Sequence, residues 1–339
     1  MHEPIELVCP AGSLPALRAA VDNGADAVYL GFRDGTNARN FPGLNFDRPG
    51  AERAVEYVRA RGKRVFVALN VYPQPALWRR AVHALAVAAE LGVDAVILAD
   101  PGLLRYAARE HPELRLHLSV QSSATNRHAI AFYHEHFGVR RVVLPRVLSL
   151  GQVRRLVPRC PVEVEVFGFG SLCVMVEGRC ALSSYVTGAS PNTCGACSPA
   201  GSVRWEERRT PSGDERRSRL GGVLVDCYAP GAPTAYPTLC KGRYRVRGSV
   251  FHAIEEPTTL NVLPILPPLA ACGIRALKLE GRQRGPAYVG QVTRIFREAL
   301  DALAQDPAGF TPHTRWLAAL DRLSEGRTHT LGALERLWQ

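Results

Sequence analysis

The first 170 residues repeat one unit: a short run of β-branched and apolar residues, a turn, and then a helix-length segment with apolar positions three and four apart. The spacing predicts strands at 6–9, 25–32, 65–70, 95–100, 116–121, 142–145 and 163–169. Helices are expected between them at 13–21, 51–61, 77–91, 103–109, 128–136 and 150–157. Runs this short and this apolar suit strands covered by helices on one side and by a filled interior on the other. Ser13 is placed to cap the first helix, and Asn23-Gly24 to stop it. An eighth unit comes much later, as a helix at 260–271, a strand at 274–280 and an amphipathic helix at 288–303. Eight strand–helix units in order is the arithmetic of an α/β fold, the (β/α)8 TIM-like barrel, with a long insertion after the seventh strand. The expected organisation is a barrel over 1–304 that includes a cysteine-rich insertion at 171–250. A tail at 305–339, with Trp316, Leu317 and Trp338, would pack on the barrel or on a partner.

Composition narrows the class. With 339 residues, 46% of them hydrophobic, the chain can bury a large core. It starts without a basic, apolar leader, and no apolar run approaches the roughly 18 residues that would span a bilayer. A cytoplasmic protein with reduced thiols is expected, in which clustered cysteines signal metal binding or catalysis more than disulfides. The formal charge of +11 is scattered along the chain and almost wholly arginine, with Lys63, Lys241 and Lys278 the only lysines. Scattered charge reads as a solvated surface, so nucleic acid is not the expected partner, although the stretch 204–219 is rich in arginine.

Six of the nine cysteines lie between 173 and 240, where the strand–helix period is lost. Cys173, Cys180, Cys197 and Cys240 read as a thiolate cage. Only Cys194-Gly-Ala-Cys197 has the close spacing of a structural zinc site, so the pattern favours an iron–sulfur cluster while leaving zinc open. Gly170, Gly178 and Gly195 would let backbone amides approach sulfur. Cys9, Cys160, Cys227 and Cys272 fit packing roles. Strand ends supply a second set: Cys9, Arg33, Asn70, Asp100, Gln121, Arg146, Ser171, Glu280 and Arg282. Active sites in this fold lie on that face, and arginines there suit a substrate with carboxylates. The chain has no His-Glu-x-x-His and no Gly-x-Ser-x-Gly, so no hydrolase motif competes.

The segment Glu165-x-Phe167-x2-Gly170-Ser171-Leu172-Cys173-x4-Gly178-x-Cys180-x-Leu182-Ser183 resembles the signature of the collagenase-like peptidase family. Cys9-Pro-Ala-Gly12, Gly35-Thr-Asn37-Ala-Arg39, Ser119-Val-Gln121, Val143-Leu-Pro145-Arg146, Tyr236-Pro-Thr-Leu-Cys240-Lys-Gly-Arg-Tyr244 and Glu280-Gly-Arg282-Gln-Arg284 are similar to its UbiU-like branch, which serves anaerobic ubiquinone biosynthesis. That resemblance implies a [4Fe-4S] cluster on Cys173, Cys180, Cys197 and Cys240, with Cys194 standing where an apolar residue is expected. It implies an oxygen-independent hydroxylase of aromatic-ring precursors, working as a heterodimer with a UbiV-like paralogue and near a quinone-precursor carrier protein. It also implies prephenate, a dicarboxylate, as hydroxyl donor, with Arg39, Asn70, Gln121, Arg146, Glu280 and Arg282 as substrate-binding candidates. The alternative within the family is a hydroxylase of tRNA or rRNA bases. No motif names the residue that activates the donor.

Overall fold

A computed structural model describes residues 4–173, 175–193, 195–211 and 213–336. The repeating unit gives β1 (Glu6–Pro10), α1 (Leu14–Asp22), β2 (Ala27–Leu30), α2 (Arg48–Arg59), β3 (Arg64–Leu69), α3 (Trp78–Glu90), β4 (Ala95–Leu98) and α4 (Pro101–Glu110). It continues with β5 (Leu116–Leu118), α5 (Arg127–Phe137), β6 (Arg141–Val143), α6 (Leu150–Leu156) and β7 (Glu163–Ser171). The insertion follows, with α7 (Leu182–Thr187), β8 (Val203–Thr210), β9 (Gly213–Leu220), β10 (Val223–Tyr228), β11 (Tyr244–Val246) and β12 (Ser249–Phe251). The chain then returns through β13 (Thr259–Asn261), α8 (Leu266–Ala271), β14 (Ala276–Leu279), α9 (Pro286–Gln305), α10 (Thr314–Leu323) and β15 (His329–Thr330).

Strands β1 to β7 pair in order and in parallel, and β14 pairs in parallel with both β7 and β1, so eight strands close a barrel. Alternation along each strand builds its two faces. Val8, Ala27, Tyr29, Phe66, Ala68, Ile97 and Ala276 form a cluster of their own, while Leu7, Val28, Val65 and Val67 join the cluster that includes the helices. Ser13 caps α1 as expected, its hydroxyl accepting from the Ala16 amide.

One layer of the interior is ionic. Arg141, 1% exposed, reaches Glu6 at 2.6 Å, Glu163 at 2.7 Å and Glu165 at 3.2 Å, and Lys278 donates to Glu165 at 2.8 Å. Burial pushes the Glu165 carboxyl up, but Lys278 and Arg141 outweigh it and hold the group below its ordinary value. His117 lies against Phe66 in the same layer, its centroid 4.8 Å away; burial and the surrounding cations keep it neutral.

The last unit departs from the pattern at 260–271. Leu260 belongs to β13, which runs antiparallel on the end of β7, with Leu260 opposite Gly170. The helix starts only at Leu266, because Pro264, Pro267 and Pro268 lack the amides that an earlier start would use and fit only a first turn. The arginine-rich stretch lies largely on two strands of the insertion. It forms the β8–β9 hairpin, where Arg216 meets Glu207 at 3.0 Å, Arg219 meets Glu206 at 2.8 Å and Arg217 meets Glu215 at 2.6 Å. Much of that basic stretch is therefore an internally paired hairpin. In the tail, Trp316 is 4% exposed and donates to Glu298 of α9 at 2.8 Å, and Leu317 packs on the main core. Those two residues are thus held by the barrel; Trp338 lies outside the described residues. No described helix is long and apolar enough to cross a membrane.

Candidate functional site

A cavity of about 270 Å³ opens where the barrel strands end. Arg39 enters from the loop after β2, Asn70 follows β3, Gln121 sits in a turn after β5, Arg146 follows β6, and Glu280 and Arg282 follow β14. Cys173, Cys180, Cys197 and Cys240 line the same cavity. The structure therefore brings all six expected substrate residues and all four expected ligands to one place. Three other strand-end residues are engaged elsewhere: Cys9 is fully buried near Thr293, Arg33 donates to the Leu44 and Asn45 carbonyls, and Asp100 caps α4. Cys194 lies outside the described residues.

Two glycines let the cysteine loops seat on the barrel. Gly178 has φ +81°, and a Cβ there would fall 1.9 Å from the Gln121 carbonyl oxygen; Gly195 has φ +82°, and its Cβ would fall 2.5 Å from the Asn37 carbonyl oxygen. Both positions need a left-handed backbone and backbone-to-backbone contact, which only glycine permits. Asn192 fastens the seat, donating to the Cys180 carbonyl at 3.1 Å and accepting from the Tyr72 amide at 3.1 Å.

The electrostatics separate the three arginines. Glu280 receives Arg39 at 2.6 Å on one oxygen and Arg146 at 2.5 Å on the other, and Arg146 also donates to Glu177 at 2.7 Å and to the Ser171 carbonyl. Burial alone would raise the Glu280 carboxyl, but Arg146 and Arg39 prevail and hold it at about 2. Arg39 and Arg146 are thus committed to internal acids. Arg282 pairs with no carboxylate among the described residues. It is 5% exposed and donates to Asn37 Oδ1 at 3.0 Å, and its guanidinium lies 5.6 Å from the Tyr29 ring centre. Burial without a counter-ion pulls it down to about 10. A buried cation of this kind is stabilised by an anionic ligand. In the same cavity, Gln121 Oε1 and Glu177 Oε2 are buried acceptors without hydrogen-bond partners among the described residues, ready for a ligand's donors. Asn70 is a brace, accepting from the Ala38 amide and donating to Ser119 Oγ, each at 3.0 Å.

The thiols are soft donors in a partly dry setting. Burial pushes Cys173 up to about 12 and Cys240 up to about 11, and it raises Cys197 against the opposing pull of Arg39. Metal-free, these three stay protonated at neutral pH, so a cationic centre is needed to hold them as thiolates. Among the described residues, no three His, Cys, Asp or Glu side chains converge closely enough to grip a single ion. The four thiols line the one cavity as soft donors of the kind that bind thiophilic metals.

Sequence reasoning did not single out Glu177, Asn37 or Lys278 as site residues. Lys278 lines the cavity with its ammonium 3.8 Å from the Tyr29 ring centre, and Lys241, paired with Glu325, lines it too. Their signal was rarity, since two of the three lysines in an arginine-rich chain meet here. Glu177 had only its place inside the cysteine signature.

A family profile for peptidase family U32 matches residues 12–332. The chain is 32% identical to tRNA hydroxylation protein P of Escherichia coli (strain K12), over 98% of this chain and 74% of that one. It is 29% identical to tRNA hydroxylation protein P1 of Bacillus subtilis (strain 168), over 96% of this chain and 70% of that one. It is also 29% identical to a 23S rRNA 5-hydroxycytidine synthase of Escherichia coli (strain K12), over 96% of this chain and 42% of that one.

Proposed function

The chain belongs to peptidase family U32, and from that premise we propose that it is the cluster-bearing part of a hydroxylase acting on an RNA base. The observation that carries the reading is the single cavity in which four cysteines meet an unpaired, buried arginine. Relatives named for tRNA and rRNA hydroxylation support RNA as the substrate, and the composition-based expectation against nucleic acid gives way to them. Peptide hydrolysis finds no support, since no histidine stands among the described residues lining the cavity to serve a nucleophile.

In this reading Cys173, Cys180, Cys197 and Cys240 hold a [4Fe-4S] cluster, which when bound supplies redox or Lewis-acid chemistry without molecular oxygen. Arg282 takes a carboxylate of the hydroxyl donor, prephenate or a similar dicarboxylate, through its two-pronged guanidinium. Glu280, held ionised by Arg39 and Arg146, fixes the shape of the mouth. Gln121 Oε1 and Glu177 Oε2 accept hydrogen bonds from the donor's hydroxyl or from the base.

A second reading keeps the same chemistry but takes aromatic-ring precursors of ubiquinone as substrate, with a UbiV-like partner. The motifs Tyr236-Pro-Thr-Leu-Cys240 and Glu280-Gly-Arg282-Gln-Arg284 favour it. One deletion strain separates the two. Nucleoside mass spectrometry of its RNA is expected to lose a hydroxylated base, with anaerobic quinone levels unchanged; loss of quinone with intact RNA bases would overturn the RNA reading in favour of the second. Anaerobically purified protein is expected to lose iron and sulfide in Cys173→Ala, Cys180→Ala, Cys197→Ala and Cys240→Ala. Stoichiometric zinc in a colourless protein would refute the cluster.

A further inference from the structure

Of the nine exposed large apolar side chains among the described residues, only Phe132 lies on the barrel; the rest fall between residues 185 and 254. They are densest at the β11–β12 hairpin, where Val246, Val250 and Phe251 are 40%, 56% and 47% exposed. Apolar side chains held in water by a two-stranded hairpin gain nothing from the fold and invite a partner.

The charge on this hairpin differs from that on β8–β9. Residues 241–254 contain Lys241, Arg243, Arg245 and Arg247 and no acidic residue. Lys241 and Arg243 pair with Glu325 and Asp226, but Arg245 and Arg247 meet no carboxylate among the described residues. Arg247-Gly248 forms the two-residue tip, with φ +50° and +90°. Such turns favour Asn-Gly, so an arginine at the first position bears left-handed strain that the paired strands hold in place.

The base of the hairpin is tied to residues that line the cavity. It begins four residues after Cys240, and its return is tied back by the Glu255 amide to the Cys240 carbonyl and by His252 Nδ1 to the Lys241 carbonyl, each at 3.0 Å. Across the strands Phe251 pairs with Tyr244, which is anchored by its hydroxyl to the Leu239 carbonyl at 2.6 Å.

We propose that the β11–β12 hairpin is the platform for single-stranded RNA flanking the target base, with Phe251 stacking on a neighbouring base and Arg245 and Arg247 meeting phosphates. The inference rests on the RNA reading above. Aromatic faces with unpaired arginines suit unstacked bases and backbone charge together, and a segment with four cations and no acidic residue suits a polyanion.

The test uses the full chain, purified anaerobically, and a labelled single-stranded RNA of about 12 nucleotides, within the span of one single-strand site. Phe251→Ala is expected to weaken binding about tenfold and Phe251→Trp to restore it, as base stacking predicts. Arg245→Ala with Arg247→Ala is expected to flatten the dependence of log K on log salt by about 1 to 2. Unchanged RNA affinity in both variants, with unfolding midpoints like wild type, overturns the platform. If those variants instead lose a co-purifying paralogue while binding RNA normally, the hairpin is a protein-docking element and the proposal fails. The functional reading is scored separately: an RNA base still lost in Cys173→Ala cells but normal in the hairpin variants leaves that reading standing without the platform. A wild-type protein that binds no RNA overturns the platform, while the functional reading stands or falls with the deletion strain.

Discussion

At the scale of single residues, Arg146 and Arg282 have the same side chain and face the same cavity, yet their chemistry differs because one has acidic partners and the other has none among the described residues. Arg282→Lys keeps the charge and removes the fork, so kcat/KM for a carboxylated donor is expected to fall about ten- to hundredfold, with iron content unchanged. Steady-state kinetics checks this; an unchanged value would move the donor elsewhere. Glu280→Gln removes the carboxylate between Arg39 and Arg146 and is expected to cost roughly 3 kcal/mol in chemical denaturation. The pH dependence has a definite sign. The folded pKa of Glu280, about 2, lies below its ordinary 4.5, so its contribution is full above about pH 4.5 and is lost as pH falls towards 2. Stability curves of wild type and Glu280→Gln should therefore converge in that window. Arg282 could be read from sequence because it follows a strand; Glu177 and Asn37 could not, because their roles exist only once loops from distant parts of the chain are seated together.

At the scale of elements, legibility followed burial. Strands covered on both sides carry unbroken apolar runs, and β1 to β7 were visible for that reason. In the insertion, β8 is exposed along nearly its whole length, so no alternation marks it. Strand β13 is three residues long, and the apolar spacing from Leu260 onward imitates a helix that the prolines postpone. The glycines of the cysteine segment were noticed for their closeness to sulfur, whereas Gly178 has a more immediate task at the Gln121 carbonyl. Gly178→Ala forces both a left-handed alanine and a backbone clash. It is expected to destabilise the protein by at least about 2 kcal/mol and to lower iron loading, measured together by thermal unfolding and iron assay. Full iron content at wild-type stability would show that this loop is not seated as described.

At the scale of the whole molecule, the ionic layer inside the barrel joins β1, β6, β7 and β14 through Arg141 and Lys278. Arg141→Met leaves Glu6, Glu163 and Glu165 without their shared cation, at an expected cost of about 3–5 kcal/mol at neutral pH. The buried Glu6 and Glu165 then keep only Arg64 and Lys278 against their desolvation, so their pKa values rise and they destabilise most at high pH and less as they protonate. The deficit should shrink from pH 7 towards pH 5, a trend that denaturant titrations would show directly; a constant deficit would point to lost packing alone.

Strand β14 closes the barrel after the insertion, bonding to both β1 and β7. Synthesis runs from the N-terminus, so seven strands and the thiols of Cys173, Cys180, Cys197 and Cys240 leave the ribosome before residue 276 can close the sheet. Until then both outer strands offer unpaired backbone to other nascent chains. The cysteine loops meanwhile have only part of the rim to rest on, since Glu280 and Arg282 are still to come. Seating of the cysteine loops and closing of the barrel are therefore late events in the life of the chain, and a polypeptide halted anywhere before β14 would have those four thiols exposed and its sheet unsealed.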